Sequence, residues 1–279
     1  MQNYLMAMRP ASGGGQSFSP SNGDFKYIKS GSTKRSLGAW VYVPANVCPD
    51  SLPLVAVHGI SRRAKEQVQM FADAADRTGR IVIAPLFGRR HWRHYQRISN
   101  NYRSDRALLD LLSRIEMQGI AGLRKFDLFG YSGGSQFAHR FAMLFPQRIG
   151  KLNLAAAGCY CMPDLNTVYP YGLAARPGRK SDWGPRMMAG LDSYLRLPIS
   201  VFVGANDTVA DPAFRRSPEL DVNQGTNRLM RAKRYHAVLS ELAHLRVIRS
   251  RISISLLPNS SHSFSQCVKS GGLDRLVLG

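Results

Sequence analysis

The sequence predicts an α/β chain, with about eight strands in a mainly parallel sheet and helices on both faces. Three observations carry that expectation. Short runs rich in Val, Ile, Leu and Phe alternate with longer stretches of helical periodicity. Several of those runs, such as residues 52–57, are apolar almost throughout, as strands covered on both faces are. No internal repeat at a solenoid period is visible. With 279 residues, 44% hydrophobic and 20% charged, the chain has enough apolar content for a large core, which excludes disorder over most of its length.

Taken in order, residues 1–23 are rich in Gly, Ser and Pro and read as a flexible arm, with the folded domain expected over 24–279. Residues 25–29 and 38–43 suit a hairpin, and 52–57 a buried strand. Val68, Phe71, Ala72 and Ala75 recur at helical spacing within 63–78, and Gly79 is placed to end that helix. Residues 80–85 form the next strand. Ser104 is placed to cap a helix with Leu108, Leu111, Leu112 and Ile115 on its core face and Gly119 at its end. A strand at 126–129 leads into a helix over 135–145, with Phe137, Phe141 and Leu144 on one side and Pro146 as its stop. Residues 151–157 read as a strand. Residues 162–197 break the rhythm with Pro163, Pro170, Pro177, Gly178, Gly184 and Pro185, and read as a lid insertion. A strand at 199–203, a long helix over 224–244, a strand at 252–257 and a final helix from Phe264 complete the chain.

Composition excludes several classes of function. No uncharged apolar run approaches the roughly 18 residues a membrane helix needs, so no membrane span is expected. The N-terminus lacks a basic start followed by an apolar core, so no secretory signal is read there and a cytoplasmic location is expected. The net charge is +20, with 29 Arg and 9 Lys. Such a field attracts anionic partners, but the arginines are scattered and no zinc-finger spacing or RNA-binding aromatic signature accompanies them, so no nucleic acid is expected. Four cysteines, Cys48, Cys159, Cys161 and Cys267, are too few and too dispersed for a disulfide scaffold. Cys159 and Cys161 would share one face of a strand, and without a second ligand pair they read as reduced core thiols rather than a zinc site.

The sharpest segment is Phe126-Asp127-Leu128-Phe129-Gly130-Tyr131-Ser132-Gly133-Gly134-Ser135, which contains Gly-x-Ser-x-Gly. It runs from strand to helix with no room for a loop. A chain that reverses so abruptly forces its serine into a strained conformation, and the glycines let strand and helix approach closely. The hydroxyl then stands at a helix N-terminus, where free N–H groups suit a developing oxyanion. The pattern makes Ser132 a candidate nucleophile, which needs a base and an orienting acid. Of seven histidines, His262 follows the last strand and can swing over the sheet's C-terminal edge. Asp207 follows the preceding strand on the same edge, with Asp211 as the reserve. The order Ser132, Asp207, His262 places all three on successive strand ends. In Val57-His58-Gly59-Ile60-Ser61, the Ile60 N–H can point at a substrate carbonyl, with the Gly133 N–H as second oxyanion donor. His58 reads as a structural histidine fixing that loop. Tyr131, His58 and Trp183 are candidate substrate-contacting residues.

Through His58-Gly59, Gly130-Tyr131-Ser132-Gly133-Gly134, Gly204-Ala205-Asn206-Asp207 and His262, the chain resembles α/β-hydrolase-fold serine hydrolases over roughly residues 36–270. It is most similar to compact bacterial esterases, including the polyhydroxyalkanoate-depolymerase-like and feruloyl-esterase-like groups. The resemblance implies ester hydrolysis by Ser132, His262 and Asp207, with Ile60 and Gly133 as oxyanion donors and no cofactor or metal. The substrate would be a small-molecule or oligomeric ester. The oxyanion strand ends His-Gly-Ile-Ser rather than His-Gly-Gly-Gly, which argues against bulky tertiary-alcohol esters. The same machinery can serve an acyltransferase, an amidase or a perhydrolase, and a non-catalytic ligand-binding member is a further alternative.

Two other segments bear on the substrate. Residues 88–97 interleave aromatics with cationic side chains. They read either as an anion-binding rim for an acidic substrate or as an exposed loop whose arginines pair with local carboxylates. Tyr169, Tyr171, Trp183, Met187 and Met188 in the insertion could line an apolar acyl pocket or merely pack the lid onto the body.

Overall fold

A computed structural model describes residues 23–29, 31, 35–178 and 182–279. All of the expected arm except Gly23 lies outside them. Eight strands form one open sheet: β1 (Asp24–Lys29), β2 (Gly38–Val43), β3 (Leu54–Val57), β4 (Val82–Leu86), β5 (Phe126–Tyr131), β6 (Ile149–Ala155), β7 (Pro198–Gly204) and β8 (Arg251–Leu257). Their spatial order is β1-β2-β4-β3-β5-β6-β7-β8. The β1–β2 hairpin runs antiparallel, as does the β2–β4 pair, and every later pairing is parallel. Parallel neighbours require crossovers, and these supply the helices. They are α1 (Ala64–Thr78), α2 (Ser104–Met117), α3 (Gly133–Leu144), α4 (Trp183–Ala189), α5 (Leu191–Leu195), α6 (Pro218–Gln224), α7 (Arg228–Leu245), α8 (Phe264–Lys269) and α9 (Leu273–Leu278).

The sheet separates two apolar layers. Leu108, Leu111, Leu112, Phe137, Phe141 and Leu239 belong to the layer of α2, α3 and α7. Val68, Phe71, Ala75, Cys267 and Val277 belong to the opposite layer of α1, α8 and α9. Strand β3 is buried at all four positions because helices cover both of its faces. The edge strand β8 alternates between half-buried Ile252 and Ile254 and exposed Arg251 and Ser253. At the N-terminal ends of the central strands, Arg80 donates to Asp127 Oδ2 at 2.6 Å and to the Leu52 carbonyl, while Asp127 Oδ1 accepts the Lys151 N–H.

Several local expectations are corrected. Ser104 does not cap α2; it is the first helical residue, and its hydroxyl donates to the Tyr95 carbonyl at 2.9 Å. The long helix expected over 224–244 is two helices, broken where Gly225 takes φ 110° and Asn227 caps α7 by accepting the Met230 N–H. The tail is likewise two helices, turned at Gly272. Cys159 and Cys161 lie beyond the end of β6, not on a strand, and their thiols donate separately to Gln136 Oε1 and the Gly172 carbonyl. The insertion carries two short helices, α4 and α5, packed on α3.

Candidate active site

Strand β5 ends at Tyr131 and α3 begins at Gly133, so Ser132 alone makes the turn. It adopts φ 53° and ψ −113°, a region a side-chain-bearing residue enters only when its surroundings force it. The force is visible in its hydrogen bonds. The Ser132 N–H is held by the Ala155 carbonyl of β6, and its carbonyl accepts the Gln136 N–H, the first turn of α3. The close approach depends on glycine. A Cβ on Gly134 would stand 2.0 Å from the Val57 carbonyl oxygen, and one on Gly130 would stand 2.3 Å from the Gly134 oxygen.

Two loops bring the other groups to the same strand edge. Asp207 follows β7 and His262 follows β8, and the loops are laced together where Ala205 N–H meets the Leu257 carbonyl and Asn206 N–H meets the Ser260 carbonyl. His262 Nδ1 lies 3.0 Å from Asp207 Oδ2, and its Nε2 lies 3.1 Å from Ser132 Oγ. Asp207 is fully buried, whereas the imidazole is partly exposed to the cavity. Tyr131 stacks under the imidazole, with ring centres 5.4 Å apart and planes at 16°. Phe264 meets that tyrosine edge-on. His262 and Asp207, 130 and 75 residues beyond Ser132, thus meet it because parallel strands put their C-terminal ends on one edge. Asp211, the reserve acid, does not reach the histidine; it pairs with Arg228 at 2.6 Å.

Ile60 and Gly133 are close neighbours, since a Cβ on Gly133 would be 3.4 Å from the Ile60 nitrogen. Neither N–H has an acceptor among the described residues. The loop that presents Ile60 is braced from below. His58 Nδ1 donates to the Gly59 carbonyl and its Nε2 accepts the Phe87 N–H, so the ring is neutral, and burial pushes its pKa down to about 4. The Tyr95 hydroxyl donates to the His58 carbonyl, and the Tyr95 ring stacks on Phe87 at 4.7 Å. Arg62 lies over the other side of that ring at 4.3 Å and donates to the Phe87 and Arg93 carbonyls.

A cavity of about 350 Å³ opens at Ser132, walled by Ile60, Tyr131, Gln136, Arg228, His262 and Phe264 among others. Tyr131 and His58 line it as candidates, although both nitrogens of His58 are spent within the protein. Trp183 does not line it: the indole is buried at the start of α4, between the guanidinium groups of Arg103 and Arg186. Tyr169, Tyr171, Met187 and Met188 are also absent from its walls, so of the two readings of the insertion an acyl pocket is not part of this cavity. Tyr95 and Arg228 were not singled out in the sequence as site residues. Tyr95 was visible only as one aromatic in the basic loop, and Arg228 only as part of a basic helical stretch. Among the described residues, no group of three or more His, Cys, Asp or Glu is arranged to hold a metal ion.

No protein-family model matches the sequence, and no curated protein does either. The fold, in contrast, has many counterparts among solved structures, and it is the α/β-hydrolase fold. Poly(aspartic acid) hydrolase-1 from Sphingomonas sp. KT-1 superposes with a TM-score of 0.75 at 23% identity, covering 91% of this chain and 98% of that one. LpqC, a poly(3-hydroxybutyrate) depolymerase from Bordetella parapertussis, gives 0.70 at 22% identity over 86% of this chain and 85% of that one. An S-formylglutathione hydrolase from Agrobacterium tumefaciens gives 0.55 at 16% identity over 94% of this chain and 98% of that one.

Proposed function

We propose that the protein is a serine hydrolase that cleaves carboxylic esters through an acyl-serine intermediate. The observation that carries this reading is the unbroken line from Ser132 Oγ to His262 Nε2 and from His262 Nδ1 to Asp207 Oδ2, with two unengaged N–H groups beside the serine. His262 takes the Ser132 proton as Oγ bonds to the acyl carbon. The oxyanion forms against the Ile60 and Gly133 N–H groups. The protonated imidazole then gives its proton to the departing alkoxide as the acyl C–O bond breaks. Water repeats the sequence in reverse roles and frees the acid. Asp207 keeps the Nδ1–H tautomer and stabilises the imidazolium. Because His262 must start neutral, the rate falls on the acid side. Ser132→Ala should lower turnover of a short-chain p-nitrophenyl ester by about a thousandfold or more while leaving the circular dichroism spectrum intact. A variant that retains the wild-type rate refutes the nucleophile. The acyltransferase, amidase and perhydrolase alternatives use the same groups, and product analysis with a competing alcohol, amine or peroxide separates them.

A specific observation favours an anionic substrate. Arg89, Arg90 and Arg93 are exposed, and neither they nor Arg97 form an ion pair with any carboxylate among the described residues. That absence of local pairing supports reading the loop as an anion-binding rim. Trp92 and Tyr95 anchor this loop in the core, and Arg62 ties it to the segment that walls the cavity. The poly(aspartic acid) hydrolase among the structural counterparts points the same way. A triple substitution of Arg89, Arg90 and Arg93 by Gln should raise KM for a carboxylate-bearing oligomeric ester or amide several-fold and leave KM for a neutral ester unchanged. Equal effects on both substrates would remove the rim from substrate binding.

A further inference from the structure

Asp207 uses only one oxygen on His262. Its other oxygen, Oδ1, is buried without a hydrogen bond and has the Arg228 guanidinium as its neighbour, at 3.6 Å from Nη1. The same guanidinium donates from Nη2 to Asp211 Oδ2 at 2.6 Å. The Arg228 side chain is 3% exposed and sits at the first residue of α7, fixed beside the ring of Phe214. One buried cation is thus shared by two carboxylates of the same loop, of which only one faces the imidazole. Burial works against ionisation of Asp211, but Arg228 outweighs it and holds that carboxyl below its ordinary value. Asp211 is accordingly a full negative charge at the cavity wall.

We infer that Arg228 is a positioning residue that divides its charge between Asp207 and Asp211, holding Asp211 away from His262 and thereby setting the pH range in which the imidazole is neutral. The inference rests on the proposed triad and deepens it. The groups around His262 are few. Ser132 and Tyr131 face it from the end of β5, Asp207 and Asp211 from the loop after β7 and Arg228 from α7, and Cys267 of α8 donates to the carbonyl of the adjacent Ser261. Burial raises both the Tyr131 phenol and the Cys267 thiol, the latter to about 12, so both are neutral. Across the cavity, Arg63 and Glu66 neutralise each other. His58 is neutral. The local field is therefore set by two negative charges and one positive charge, and Arg228 is the positive one. Without it, two uncompensated carboxylates on one loop favour the imidazolium. With Arg228 kept and Asp211 neutralised, the balance moves the other way.

The test is a charge cycle read by pH. In Arg228→Met, the acid limb of kcat/KM should move to higher pH by about one unit. In Asp211→Asn it should move to lower pH. In the double variant it should return close to the wild-type position. A role in packing alone would lower activity without opposite shifts and without the return. Limbs that stay in place, or that all move one way, overturn the inference. If Arg228→Met does not fold, the direction of the Asp211→Asn shift decides. The same cycle is followed without substrate by proton NMR titration of the His262 ring. An enzyme inactive on every ester therefore refutes the hydrolase reading while the NMR arm still judges this one.

Discussion

His58 and Ser132 line the same cavity, yet their side chains are held in opposite ways. Ser132 sits on strained backbone with its hydroxyl turned to His262, and His58 is closed off by Gly59 and Phe87. The closure has a thermodynamic consequence. Burial is the main cause of the low His58 pKa of about 4, aided by Arg62 and opposed by the bond to Gly59. In the unfolded chain the ring titrates near its ordinary 6.5, so between pH 6.5 and 4 only the unfolded state takes the proton. The contribution is fully present above pH 6.5 and is lost as pH falls through about 4. Over that interval it amounts to about 3 kcal/mol. Buried His139 is depressed for the same reason and adds in the same direction. Urea unfolding of wild type at pH 7 and pH 4.5 should show this loss, and His58→Asn should lose visibly less. Identical losses in the two proteins would mean that His58 does not carry it. Ser132, Asp207 and His262 were legible in the sequence because each sits at a fixed place in a motif or at a strand end. Tyr95 and Arg228 were not, because their partners are the His58 carbonyl and two carboxylates brought close only by the sheet.

At the scale of elements, buried arginines do the joining where regular structure lapses. Arg231 on α7 is fully buried; it donates to the carbonyls of Gly158, Arg215 and Gly225 and to Asp221 of α6. It thereby holds the chain after β6, which contributes Gly158 to the cavity wall, against the α6–α7 corner. Arg140 does the same on α3, donating to the carbonyls of Gln96, Gln136 and Pro170 and so tying the basic loop to the insertion. Such groups are costly to strand. Arg231→Met should destabilise the protein by about 3 kcal/mol, because several buried acceptors lose their donor at once. A loss below about 1 kcal/mol in a denaturant titration would show that water replaces the guanidinium there. The element boundaries that the sequence misplaced have related causes. The corner at Gly225 was hidden because helical periodicity continues on either side of it, and Ser104 resembled a cap until its hydroxyl was committed to Tyr95.

Across the whole molecule, the positive charge is neither evenly paired nor evenly spread. Carboxylates are used where arginines are buried, as at Arg80, Arg228 and Arg231. Of the 18 Asp and Glu set against 38 Lys and Arg, ten form ion pairs among the described residues, and none of those pairs is with an arginine of the 88–97 loop. A preference for anionic substrates that originates there should fade as ionic strength rises from about 0.01 M to 0.15 M, where screening shortens from about 30 Å to about 8 Å. A preference insensitive to salt would locate the recognition inside the cavity instead. Among the described residues no helix is long and apolar enough to cross a membrane.

The sequence alone determined the α/β class, the order of the strands, and the tight strand-to-helix turn at Ser132. These follow from periodicity and from steric rules that act over a few residues. Only the tertiary structure decided that Asp207 rather than Asp211 meets His262, that Trp183 lies outside the cavity wall, and that a buried guanidinium stands behind the acid. Those outcomes depend on which side chains the parallel sheet and its connecting loops bring within a few ångströms, a distance that spacing along the chain does not encode.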